Sequence, residues 1–121
     1  MSKYSQMYDE FVRLMEKSNK LYTKDLTDIK SEPVEERLRI IREFSEKLSD
    51  LFKALTITSE NLIILALKES KLLEAHAVAE LSKDNLALLL ARKSAVEGLI
   101  PMYENSEIMS RISMNERALK N

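Results

Sequence analysis

Cysteine and tryptophan are absent from this chain, glycine occurs once (Gly98) and proline twice (Pro33 and Pro101). Without cysteine there are no disulfides, no thiolate ligands and no thiol nucleophile, which fits a reducing compartment and makes a cytoplasmic location the expectation. So little glycine and proline is incompatible with the frequent tight turns of β-sandwiches and barrels. It also removes the glycine loop that cradles phosphates and the glycine-framed serine of a nucleophile elbow. Neither sign of charge dominates: 19 basic and 20 acidic side chains are spread evenly over the two halves. A strongly basic nucleic-acid surface and an acidic tail are therefore not expected. The longest aliphatic run, Leu62 to Leu67, is far shorter than the roughly 20 residues that cross a bilayer. Met1 to Gln6 lacks the apolar core of a signal peptide. No membrane partner is expected.

What is abundant is Leu, Ala, Lys, Glu, Met and Arg, the residues that lose least on entering a helix. The chain of 121 residues suffices for one core. The expectation is an all-α protein with residues 1–121 as a single helical-bundle domain.

Apolar residues mark out the helices. Tyr4, Met7, Tyr8, Phe11, Leu14, Met15, Leu21 and Tyr22 follow one another at helical spacing, with Ser18 inside the stripe, and this first segment should fade near Leu26 to Ile29. Ser31-Glu32-Pro33 reads as a stop and restart, Ser31 capping the amides ahead of it. A second stripe runs through Val34, Leu38, Ile41, Phe44, Leu48, Leu51 and Leu55. Its outer face offers Glu35–Arg39, Arg42–Glu46 and Glu43–Lys47 four residues apart, each worth about 0.3 kcal/mol. Thr56-Ile57-Thr58-Ser59 suggests a turn, although no glycine or proline intervenes. The third segment, Glu60 to Leu81, opens apolar all round, as a surrounded helix does. Ser82-Lys83-Asp84-Asn85 offers a cap for a fourth segment, which Gly98 and Pro101 are expected to end. Asn105-Ser106-Glu107 can cap a short last helix bearing Ile108, Met109, Ile112 and Leu119. This reads as an antiparallel bundle of about four main helices plus a short C-terminal helix. The alternative fuses segments 60–81 and 85–100 into one long helix.

Sites of chemistry are sparse. His76 is the only histidine, so neither a zinc pair four apart on a helix nor a carboxylate site with Glu-x-x-His motifs can be assembled. No metal and no cofactor is expected. Histidine phosphotransfer domains carry a lysine three residues and a glycine four residues after their histidine. Here those positions hold Ala79 and Glu80, and a glutamate would repel the phosphate. The carboxylates Glu35, Glu36, Glu43, Glu46 and Glu60 lie among basic neighbours on helix faces, the pattern of solvated surface. Catalysis needs one carboxylate desolvated in a cleft, and none is indicated; the expectation is a protein that is not an enzyme.

Two binding surfaces can be named. Met102, Met109 and Met114 cluster near the C-terminus with Ile108 and Ile112 between them. Pliable thioethers suit a surface that accepts a protein partner, and equally fill gaps in a core. On the first segment Arg13, Lys17, Lys20 and Lys24 align along one edge that could track phosphates, flanked by Glu16 and Asp28. The leucine, acid and lysine rhythm from Leu72-Leu73-Glu74 to Leu88-Leu89-Ala91-Arg92-Lys93 is similar to that of flagellar export chaperones, and any amphipathic helical hairpin produces it. The expected function is a non-enzymatic protein-protein interaction module: a small adaptor, assembly factor or export-chaperone-like protein. The surplus of apolar residues between Leu62 and Tyr103 adds self-association, with a homodimer favoured. The alternative is a nucleic-acid-associated or viral assembly protein that uses the lysine edge.

Overall fold

A computed structural model describes residues 2–21, Leu26 and 32–120. They are all-helical, in three helices rather than four and a short fifth: α1 (Lys3–Lys20), α2 (Val34–Lys68) and α3 (Leu72–Lys120). Ser2 caps α1 by accepting the amide of Ser5 at 3.1 Å. The expected cap at Ser31 and the fading at Leu26 to Ile29 lie outside the described residues, except that Leu26 itself is buried in the core. Pro33 stands immediately before α2, with no N–H for the helix to leave unsatisfied.

The capping-type residues expected to end helices instead bond within them. Thr56 Oγ1 donates to the carbonyl of Phe52 at 2.8 Å and Ser59 Oγ to that of Thr56 at 3.0 Å. Ser82 Oγ donates to Ala79 at 3.1 Å and Asn85 Nδ2 to Leu81 at 2.8 Å. A hydroxyl or amide that back-bonds to its own helix has no call to break it. Ser106 does the same to Met102 at 3.1 Å, so the short last helix is the end of α3. Gly98 keeps a backbone without positive φ, and Pro101 sits inside α3 at the loss of one ladder bond. Segments 60–81 and 85–100 are thus joined across 82–85.

The chain reverses earlier, at Glu69-Ser70-Lys71, within the third segment. Ser70 takes the left-handed conformation, φ 58°. The amide of Lys71 donates to the carbonyl of Ala66 at 2.8 Å and that of Ser70 to Leu67 at 3.1 Å. These two bonds make a Schellman cap, normally closed by glycine at the left-handed position. Three residues between helices force α2 and α3 into an antiparallel hairpin.

A repeat of seven holds the hairpin together. Ile41, Leu48, Leu55 and Leu62 on α2 are all fully buried. They face Ala75, Ser82, Leu89 and Val96 on α3, also buried, with Tyr103 continuing the spacing. On α1 the buried members Tyr4, Phe11 and Ser18 keep the same interval. A seven-residue repeat on helices of 3.6 residues per turn drifts slowly around each helix, so helices packed on it wrap in a left-handed supercoil.

α1 covers only the half of the hairpin nearest the turn. Lys71 stands 4.4 Å above the Tyr4 ring at one end, and Arg92 Nη1 donates to the carbonyl of Ser18 at 2.8 Å at the other. α1 therefore runs parallel to α3 and antiparallel to α2. In the far half, Arg42 pairs with Glu104 at 2.8 Å and Arg111 with Glu35 at 3.2 Å. These cross-helix pairs displace the expected Arg42–Glu46 and Glu35–Arg39; Arg39 pairs with Glu36 and Glu43 instead. Each pair is exposed and screened by solvent, so the apolar repeat and not the charges sets the register. Beyond Arg111, α3 runs on with no part of α2 alongside it.

Candidate functional site

Two surfaces follow from this geometry, one on α3 and one between α1 and α2. α3 is 49 residues long, about 73 Å at helical rise, and its apolar residues do not all serve the hairpin. One face buries Ala75, Val78, Ser82, Leu89 and Val96. About 100° round the helix, Leu81, Leu88, Ala95, Met102 and Met109 recur every seven residues, and all are exposed. Ala77, Ala91, Gly98, Asn105, Ile112 and Leu119 fill the intervening positions and are exposed as well. Between Ala77 and Ile112 only Asp84 breaks the sequence of apolar, small and amide residues along this line; the next position of the Leu81 set after Met109 is Glu116.

The residues expected to bind a partner all lie on the C-terminal part of α3 and all are exposed: Met102 by 52%, Ile108 by 54%, Met109 by 61%, Ile112 by 44% and Met114 by 65%. None is a core gap-filler. The helix brings Met102, Met109 and Ile112 onto the open stripe and Ile108 to its border. Met114 stands about 140° round from Met109 and belongs to another face. Sequence reasoning missed Leu81 and Leu88, which extend the stripe towards the hairpin turn. The seven-residue interval from Leu81 to Met109 is the signal that marks them.

The second surface is an open groove of about 510 Å³ between α1 and α2. Arg13 and Lys17 of the expected phosphate edge line it, joined by Lys47 and Asp50 of α2 over a floor that includes Leu14, Leu21 and Leu51. Glu10 lies on the same rim, and Arg13 Nε donates to its carboxylate at 2.9 Å. That hydrogen bond, more than the charge behind it, holds Glu10 below the usual glutamate range and raises Arg13. Lys20 is exposed at the end of α1, and Lys24 lies outside the described residues. Three cations against two carboxylates leave the groove nearly charge-balanced.

The remaining titratable groups stand on helix faces. His76 is exposed, with Ala79 half-buried and Glu80 exposed beside it on α3. Glu36 is held below its usual range by the hydrogen bond from Arg39. A carboxylate held ionised by an arginine suits an ion pair; a general acid needs the opposite shift. Tyr4 is pushed up, first by burial and then by the nearby Glu74 carboxylate. Among the described residues no three His, Cys, Asp or Glu side chains gather as metal ligands. No described helix is long and apolar enough to cross a membrane. Comparison with protein-family models, with curated proteins and with solved structures finds no match.

Proposed function

We propose that this chain is a non-enzymatic helical interaction module, a small adaptor or assembly factor of export-chaperone type, that binds protein partners along α3 and associates with itself. One observation carries the reading. α3 presents a line of apolar and small side chains to solvent from Ala77 to Ile112, interrupted at Asp84 and Asn105. Scattered exposed apolar residues are ordinary on a protein surface, whereas a contiguous line of them marks a surface that a partner covers. A helix laid on such a line would be read through anchors three, four and seven residues apart, the usual mode of helix recognition. The methionines suit this task because their flexible side chains adapt to partners of different shape. Absence of cysteine fits a cytoplasmic setting.

The test is capture from native lysate with and without nuclease, using the wild type and the triple variant Met102→Glu, Met109→Glu and Ile112→Glu. All three side chains are exposed, so the variant keeps its fold, checked by circular dichroism. A protein recovered in stoichiometric amount with nuclease present, and lost with the variant, supports the reading. Recovery unchanged by the variant refutes the assigned surface.

Nucleic-acid binding is a second reading, favoured by Arg13, Lys17 and Lys47 around one groove. It requires binding that weakens steeply with salt and falls when Lys17, Lys20 and Lys24 are replaced by glutamine. Undiminished binding by that variant eliminates the edge.

A further inference from the structure

We infer that the open stripe of α3 is covered by α3 of a second copy of this chain, running antiparallel and crossing at Ala95 and Gly98. This rests on the self-association proposed above and names its surface and geometry.

Repeat, glycine, area and charge point the same way. The stripe has the repeat that the protein already uses to pack its own helices, with one set at Leu81, Leu88, Ala95, Met102 and Met109. The other set is Ala77, Asp84, Ala91, Gly98, Asn105 and Ile112. Antiparallel pairing of such a repeat sets each member of the first set against one of the second. With Ala95 against Gly98, the same register puts Leu81 against Ile112 of the second copy and Met102 against its Ala91. Small residues then meet at the crossing and Met102 meets a small one beside it, while further out Leu81 meets Ile112, Leu88 meets Asn105 and Met109 meets Asp84.

Gly98 is the chain's only glycine and lies within a helix, where glycine is unfavourable. Among the described residues, nothing beyond its own stretch of helix stands within 4 Å of where its Cβ would be, and its φ is not positive. Neither packing within the chain nor backbone conformation accounts for it. Close approach of a second helix backbone does, and the exposed Ala91 and Ala95 on the same line keep that approach open.

The area is sufficient. From Ala77 to Ile112 the line is about 52 Å long, and with a helix about 10 Å wide it offers roughly 500 Å² per chain. Two copies would bury about 1,000 Å², the size at which an interface becomes specific. Charge favours the antiparallel direction. Residues 74–84 contain Glu74, Glu80 and Asp84 against Lys83. Antiparallel pairing keeps the acidic stretches of the two copies apart, whereas parallel pairing would set Glu74, Glu80 and Asp84 against themselves.

The experiment combines sedimentation with disulfide trapping, for which a chain free of cysteine is suited. The wild type should sediment as a dimer at high concentration, and Ala95→Glu with Met102→Glu should weaken dimerisation at least about 30-fold. Both positions are exposed in the single chain, so the variant's helicity and melting should match the wild type. Oxidation of an equal mixture of Ala91→Cys and Met102→Cys chains should give the mixed disulfide. Met102→Cys alone should give none, because its two copies would stand about 16 Å apart along the axis. A monomeric wild type, a dimer indifferent to the double variant, or self-linking of Met102→Cys each overturns the proposal. A monomer that still captures a protein from lysate through Met102, Met109 and Ile112 overturns self-association while leaving the broader interaction reading intact.

Discussion

Ser70 occupies the one left-handed position among the non-glycine residues described, φ 58°, at the point where the hairpin reverses. A side chain with a Cβ costs about 1–2 kcal/mol in that conformation. Glycine is free of this cost, but its looser unfolded chain takes back about 0.5–1 kcal/mol. Ser70→Gly should therefore stabilise the protein by about 0.5–1 kcal/mol, provided the Schellman bonds from Lys71 to Ala66 and from Ser70 to Leu67 persist. For a domain of this size that is a rise in melting temperature of about 2–5 °C. Urea unfolding followed by far-UV circular dichroism measures it directly, with Ser70→Val as the opposite control. A β-branched residue is a poor occupant of positive φ and should destabilise. The sign decides the matter. If α2 and α3 were one helix through residues 68–72, Ser70→Gly would put glycine in a helix interior and lower stability by several tenths of a kcal/mol. That result would refute the hairpin.

Other substitutions separate the buried seam from the open one. Leu55→Ala, at a fully buried position, should cost about 2–5 kcal/mol in denaturant unfolding, whereas Met114→Ala at 65% exposure should change stability by less than about 0.5 kcal/mol. Ser18→Ala should be neutral or stabilising by up to about 1 kcal/mol in the same assay, because the buried Ser18 hydroxyl finds no hydrogen-bond partner among the described residues. Glu10 and Glu36 sit below the usual value of 4.5, so on acidification the unfolded chain takes up protons first. Their contribution is present above pH 4.5 and is lost as pH falls through their lowered values. Melting curves over that range should show the loss, smaller in Arg39→Ala. Tyr4 is raised above 10.0, which favours the folded state below that pH and weakens it above, readable as a delayed tyrosinate absorbance change.

The apolar stripes of α1 and α2 were legible because each helix buries one face, and a single face writes a single period into the sequence. Phe11, Leu14, Leu38, Ile41, Leu48 and Leu55 are all core residues in the structure. α3 was harder, since two stripes on one helix blur the period of each. The helix ends misled for a different reason. Serine, threonine and asparagine can cap an amide outside a helix or back-bond to a carbonyl within it, and local sequence does not distinguish these uses. Thr56, Ser59, Ser82 and Asn85 all took the second. The true reversal at Glu69-Ser70-Lys71 carries no glycine or proline, so its left-handed residue was unmarked.

By itself, then, the sequence determined the helical class, through composition and propensity, and the identity of most core residues, through spacing along each stripe. Both are properties of single helices and survive without knowledge of neighbours. Tertiary packing decided where the chain reverses, which of α3's apolar faces is buried, and which ion pairs form. Those outcomes depend on partners dozens of residues away: α2 and α1 together can cover only one side of α3. The other side was left to solvent, and only the folded arrangement distinguishes the two.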